Sequence, residues 1–147
     1  MKTGGEGIKL IKQFEGCKLE AYQCPAKIWT IGFGNTFYED GVKVKKGDKI
    51  TQDRAEKLLL NLLPKYEDIV DTKIKVDLTQ NQFDSLVSYT WNTGGSDTLF
   101  KLINGGSTST AIKTWFNTKY ITGQGSKTPL LGLVRRRKAE CDLYFKS

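Results

Sequence analysis

The sequence predicts an α+β fold of two lobes, a small β-containing N-terminal lobe and a mostly helical C-terminal lobe, with the working cleft between them. Three observations carry this. Trp29, Ile31 and Phe33 alternate with Thr30, Gly32 and Gly34, the period-two mark of a half-buried strand. From Ala55 onward the period lengthens: Leu58, Leu59, Leu62, Leu63, Tyr66, Ile69 and Val70 recur at helical spacing. The length, 147 residues, suits one domain with a workable core. The lobes are expected at approximately 14–50 and 51–147, with the first helix free to pack on the C-terminal one.

Each element has a local reason. An opening helix is expected from about Gly5 to Phe14, with Ile8, Leu10, Ile11 and Phe14 as its apolar face and Glu15 at its end. Residues 17 to 50 read as short strands and turns, Glu39-Asp40-Gly41 being one turn and Val42 and Val44 alternating with lysines. Thr51 is placed to cap the long helix that follows. Pro64 lacks the N–H of a helix interior and clashes with the preceding turn, so a kink or two helices are expected there. Thr79 with Gln82 forms a capping box, opening a helix with Phe83, Leu86, Val87 and Thr90 inward and an end near Asn92-Thr93-Gly94-Gly95. Ala111, Ile112, Trp115 and Phe116 indicate a short helix, and Tyr120 to Thr128 a glycine and serine loop before Pro129. A last helix would align Leu130, Val134, Cys141, Tyr144 and Phe145 on one stripe. There is no internal repeat or linker.

The chemistry lies in Glu15, Cys24 and Thr30, spaced E-x8-C-x5-T. Cleaving a glycosidic bond requires an acid to protonate the leaving oxygen and a polar group across the bond to attack or to position water. Glu15 is the natural acid. The face of the Gly-rich strand opposite the aromatics carries one hydroxyl and two bare backbones, against which a polymer chain can lie closely.

Composition removes rivals. The chain contains no histidine, which excludes Ser-His-Asp and Cys-His hydrolases, HExxH proteases and His-ligated zinc amidases. Three separated cysteines without histidine do not make a zinc site, and no metal or organic cofactor is expected. The formal charge of +7, with Lys43, Lys45, Lys46 and Lys49 in one cluster and Arg135, Arg136, Arg137 and Lys138 in another, suits an anionic polymer, wall glycan or nucleic acid. Solvated faces are the plainer reading for any single lysine. Some of Arg135 to Arg137 are candidates to face the cleft, to pair with Glu15 or with a carboxylate of the substrate.

Three blocks carry a resemblance: Phe14 to Thr36, Leu78 to Ser88, and Gly132 to Glu140. Together they resemble the phage-type lysozymes, or endolysins, of the T4 lysozyme family, over nearly the whole chain. The family's triad is written E-x8-[D/C]-x5-T. The resemblance implies a lysozyme-like fold and a muramidase that hydrolyses the β-1,4 bond between N-acetylmuramic acid and N-acetylglucosamine in peptidoglycan, causing host lysis. It implies Glu15 as general acid, Cys24 as nucleophile or water-orienting group, and Thr30 as the residue that positions water. Two departures stand out: Cys24 occupies a position where Asp is commoner, and Asn35 one where His commonly follows the glycines. With a thiol, either water attack or a thioglycosyl intermediate is open, and water attack is the preferred expectation.

Trp91, Asn92 and Asn35 are the expected substrate-binding residues. Cys17 and Cys24 form a candidate redox pair that would latch the site, and Cys141 is expected to be buried packing. A lytic transglycosylase, and a weakly catalytic module binding wall or nucleic acid, are the alternatives, nucleic acid ranking below wall polymer. Met1 to Gly5 lead directly into an amphipathic segment with no signal peptide or anchor. The expectation is therefore a monomer held in the host cytoplasm until a separate holin-type pore admits it to the wall, without membrane insertion.

Overall fold

The structure, a computed structural model, describes residues 1–122 and 127–146. Its elements are α1 (Gly5–Glu15), β1 (Lys18–Gln23), β2 (Trp29–Gly32), α2 (Gln52–Lys73), α3 (Gln80–Thr93), α4 (Asp97–Asn104), α5 (Ser109–Thr118) and α6 (Leu131–Tyr144). The architecture is α+β, as expected. The chain packs as two compact units, Met1–Phe14 with Tyr66–Ser147, and Glu15–Lys65, the division falling within α2.

In the larger unit α1 is anchored by its start. The backbone N–H groups of Gly4 and Gly7 donate to the buried Asp84 carboxylate at 2.9 and 3.2 Å, a negative charge at the positive end of a helix. Gly7 permits this approach, since a Cβ there would meet Asp84 Cβ at 2.8 Å. The capping box forms as the sequence specifies: Thr79 Oγ1 accepts from Gln82 N, and Gln82 Oε1 accepts from Thr79 N. Phe83, Leu86, Val87 and Thr90 are all buried, and Gly94 closes α3 in the left-handed conformation.

Several expectations are corrected. Of the two outcomes expected at Pro64, a kink or two helices, the second does not occur: α2 runs through the proline as one helix. The carbonyl that loses its donor belongs to Leu60, whose side chain is exposed, so the deprived group lies on the solvent side where water can serve it. Helix α4 was not anticipated, although Ser96 caps it by accepting from Leu99 N at 3.2 Å and Leu99, Phe100 and Ile103 are buried. The α6 stripe also differs. Cys141 and Tyr144 are buried, but Leu130 is exposed, and the fully enclosed positions are taken by Arg137 and Glu140, with Arg136 close behind. The expected loop from Tyr120 to Thr128 lies partly outside the described residues, at 123–126; Thr122 and Pro129 on either side form an isolated antiparallel bridge.

The smaller unit is built on a hairpin. β1 pairs antiparallel with β2 in the register Lys18↔Gly32, Tyr22↔Thr30 and Gln23↔Trp29, with an irregularity between Lys18 and Tyr22. Cys24 extends the register by donating its N–H to Ile28 O at 3.0 Å. Pro25, Ala26 and Lys27 make the loop, with Lys27 in the left-handed region at φ 62°, the usual last residue of a three-residue hairpin connection. Ile31, Val44 and Leu58 form the core, with Trp29, Tyr38 and Ile50 against it.

Candidate active site on the β hairpin

Glu15 ends α1 and is half-buried. Its Oε2 lies 3.5 Å from the place a Cβ on Gly34 would occupy. The strand therefore departs from simple alternation. β2 stops at Gly32, and Gly32 and Gly34 adopt φ 67° and 103°, returning the chain so that Ile31 and Asn35 exchange backbone hydrogen bonds, both at 2.9 Å. The bare backbone of Gly34 faces the Glu15 carboxylate instead of lying along a flat, polymer-facing strand.

Thr30 is buried at 4% exposure, and its hydroxyl, 2.9 Å from Ile28 O, has one proton to turn either to that carbonyl or to the Cys24 sulfur. The Cys24 thiol is half-buried at the turn. Its pKa lies below the usual thiol value because the Ile28 backbone N–H favours the thiolate. The Ala26 N–H, the Thr30 hydroxyl and the residue's own backbone add to that, while desolvation acts against it. The turn's backbone N–H groups and the Thr30 hydroxyl thus favour the thiolate over the thiol.

The hairpin also brings in a residue absent from the sequence expectations. Tyr22 stands opposite Thr30, and its phenol pKa is raised, by burial first and then by the negative charges of Glu15 and Cys24. Glu15, Tyr22, Cys24 and Thr30 are therefore neighbours. Only its place two residues before Cys24 could have revealed Tyr22 in advance, and that needs the register.

The other expected residues have different surroundings. Asn35 is buried and donates from Nδ2 to Leu58 O at 3.2 Å, so it braces the Gly34 turn against α2 and is enclosed where a substrate contact was expected. Trp91, in the larger unit, is 9% exposed and packs on Tyr66 with ring centroids 5.1 Å apart, a core position and not an open stacking platform. Asn92 is exposed, and its Oδ1 accepts from Arg137 Nη2 at 2.8 Å.

Of the basic block only Arg135 and Lys138 lie on the surface. Arg136 and Arg137 enclose Glu140 at 3.2 and 2.7 Å, and Ser88 donates to Glu140 Oε2 at 2.6 Å. The 2.7 Å contact is an ion pair whose N–H direction misses hydrogen-bond alignment, both atoms otherwise being without a hydrogen-bond partner. Complete burial pushes the Glu140 carboxyl up, while Arg137, Arg136 and Ser88 pull it down.

Among the described residues no disulfide is formed. Cys17 Sγ donates to Gln52 Oε1 at 3.7 Å. The six residues of β1 stand between Cys17 and Cys24. At about 3.3 Å per strand residue they hold the two apart well beyond the roughly 7 Å that a disulfide tolerates. The redox pair cannot close while β1 is formed.

Comparison with known proteins identifies the family and the fold. The phage lysozyme family model matches residues 12–140. An endolysin of Acyrthosiphon pisum secondary endosymbiont phage 1 is 38% identical, over 98% of each chain. The solved endolysin from Escherichia coli O157:H7 phage FAHEc1 superposes with a TM-score of 0.86 at 38% identity, over 99% of this chain and 94% of that one. The muramidase domain of SpmX from Asticaccaulis excentricus gives 0.85 at 30% identity, over 99% of both. Four other phage endolysins are longer, the chain spanning 54% to 61% of their length.

Proposed function

This chain belongs to the phage lysozyme family, and from that premise we propose that it is a muramidase cutting the β-1,4 bond between N-acetylmuramic acid and N-acetylglucosamine, with Glu15, Cys24 and Thr30 as its working residues. The chain is a glycoside hydrolase of the endolysin type, and peptidoglycan strands are its substrate. The observation that carries the residue assignment is the Cys24 turn, where backbone N–H groups and the Thr30 hydroxyl favour the thiolate on the hairpin that follows Glu15.

In this reading Glu15 gives its proton to the leaving glycosidic oxygen as the C–O bond breaks. A water held by Thr30 and Cys24 forms the new bond to the anomeric carbon, and the Cys24 thiolate takes the proton that the water loses. Glu15 is reprotonated from solvent. Inversion results. The donors around the sulfur also favour a second route, in which the thiolate itself attacks and a thioglycosyl intermediate is hydrolysed with retention. Trapping or failing to trap a glycosyl adduct on Cys24 by mass spectrometry separates the two.

Among the described residues no helix is long and apolar enough to cross a membrane. The enzyme works as a monomer, collects in the host cytoplasm and reaches the wall through a holin-type pore made by another protein. Turbidity loss of purified peptidoglycan, with mass analysis of the fragments, tests the reaction. Reducing muramic acid ends mean hydrolysis, anhydromuramyl ends a lytic transglycosylase. Absence of cleavage with salt-sensitive polymer binding means a binding module.

A further inference from the structure

The antiparallel register settles which side chains share a face with the sulfur. Residues directly opposite in an antiparallel pair lie on the same face, as do residues two apart in one strand. Tyr22 is opposite Thr30. Cys24 is two residues beyond Tyr22 and still in register through its bond to Ile28 O. Tyr22, Cys24 and Thr30 therefore form one row. The pairs Tyr22↔Thr30 and Gln23↔Trp29 fix this register, and a one-residue slip there would send Tyr22 to the opposite face.

We propose that Tyr22 is a substrate-contacting residue of this reaction, its phenol donating a hydrogen bond to the sugar held between Glu15 and Cys24. The proposal rests on the muramidase reading above. Tyr22 is 37% exposed, open to a ligand where a structural aromatic would be packed away. Burial and the negative charges of Glu15 and Cys24 keep the proton on the phenol, so it remains a donor while both neighbours carry or acquire negative charge. Sugar hydroxyls and acetamide oxygens are acceptors for such a group. Trp29, one position away, points to the other face and packs on the Ile31 cluster, which leaves Tyr22 as the aromatic of this row.

The test is steady-state kinetics on a soluble peptidoglycan oligomer with the native chain, Tyr22→Phe and Tyr22→Leu, together with thermal melts of each. Tyr22→Phe is expected to lower kcat about 3- to 10-fold, the effect of one neutral hydrogen bond, with KM within about twofold and the melt unmoved. Tyr22→Leu is expected to raise KM as well, since the ring is gone. Native kinetics in Tyr22→Phe, or a loss that only follows a lowered melt, would overturn the proposal while leaving the muramidase reading intact. A native chain that cuts no glycan would remove that reading and the Tyr22 role with it.

Discussion

Gly34 has no side chain where Glu15 has its carboxylate: a Cβ there would lie 3.5 Å from Oε2, on a backbone held at φ 103°. The distance is an ordinary contact, so the backbone conformation and not a clash is the main cost of a substitution. Gly34→Ala should lose about 1 to 2 kcal/mol of stability and also restrict the carboxyl. Gly41→Ala, at φ 85° with nothing within 4 Å, should lose comparable stability and keep its activity. Urea denaturation and lysis assays on both variants separate conformational strain from the contact with Glu15.

The Cys24 thiol should be alkylated by iodoacetamide with a pH midpoint below that of a free thiol, because every donor at the turn favours the deprotonated form. Thr30→Val removes one of these donors, and the midpoint should move up. Cys141 should react slowly at any pH that preserves the fold, since burial pushes its pKa up. Peptide mapping of the alkylated protein reads all three effects.

Oxidation of the folded protein should leave Cys17 and Cys24 unlinked, because β1 spans the interval between them. Non-reducing peptide mapping after treatment with oxidised glutathione checks this; a 17–24 disulfide formed with the fold intact would contradict it.

Glu140→Gln should be strongly destabilising, by about 3 to 5 kcal/mol. It leaves the buried guanidiniums of Arg136 and Arg137 without their counter-charge. The shift of the urea midpoint measures it.

Trp91→Phe should cost about 1 to 3 kcal/mol by loosening its packing on Tyr66 and should leave KM within about twofold. A large rise in KM at unchanged stability would restore Trp91 as a sugar platform.

The helices were legible where sequence and backbone chemistry are local. Thr79 and Gln82 name their own capping box, and Thr51 caps α2 as expected, accepting from Arg54 N at 3.1 Å. The spacing of Glu15, Cys24 and Thr30 was legible as well, yet their arrangement was not. It depends on an irregular hairpin register and on two glycines at positive φ, neither of which period two reveals. Arg136 and Arg137 read as a surface charge run because their partner, Glu140, shares the helix while Ser88 and Asn92 come from α3. Only tertiary packing shows that the run is enclosed. Asn35 likewise looked like a cleft residue until its amide found the Leu58 carbonyl.

The most direct measurement is cleavage of purified peptidoglycan by the native chain and by Glu15→Gln, with reductant present and the released fragments analysed by mass. Reducing muramic acid ends from the native chain, and a loss of several orders of magnitude in Glu15→Gln with an unchanged melt, are the expected result. Undiminished cleavage by Glu15→Gln, or no cleavage by the native chain on several wall types, would contradict the assignment of Glu15 as the acid of a muramidase.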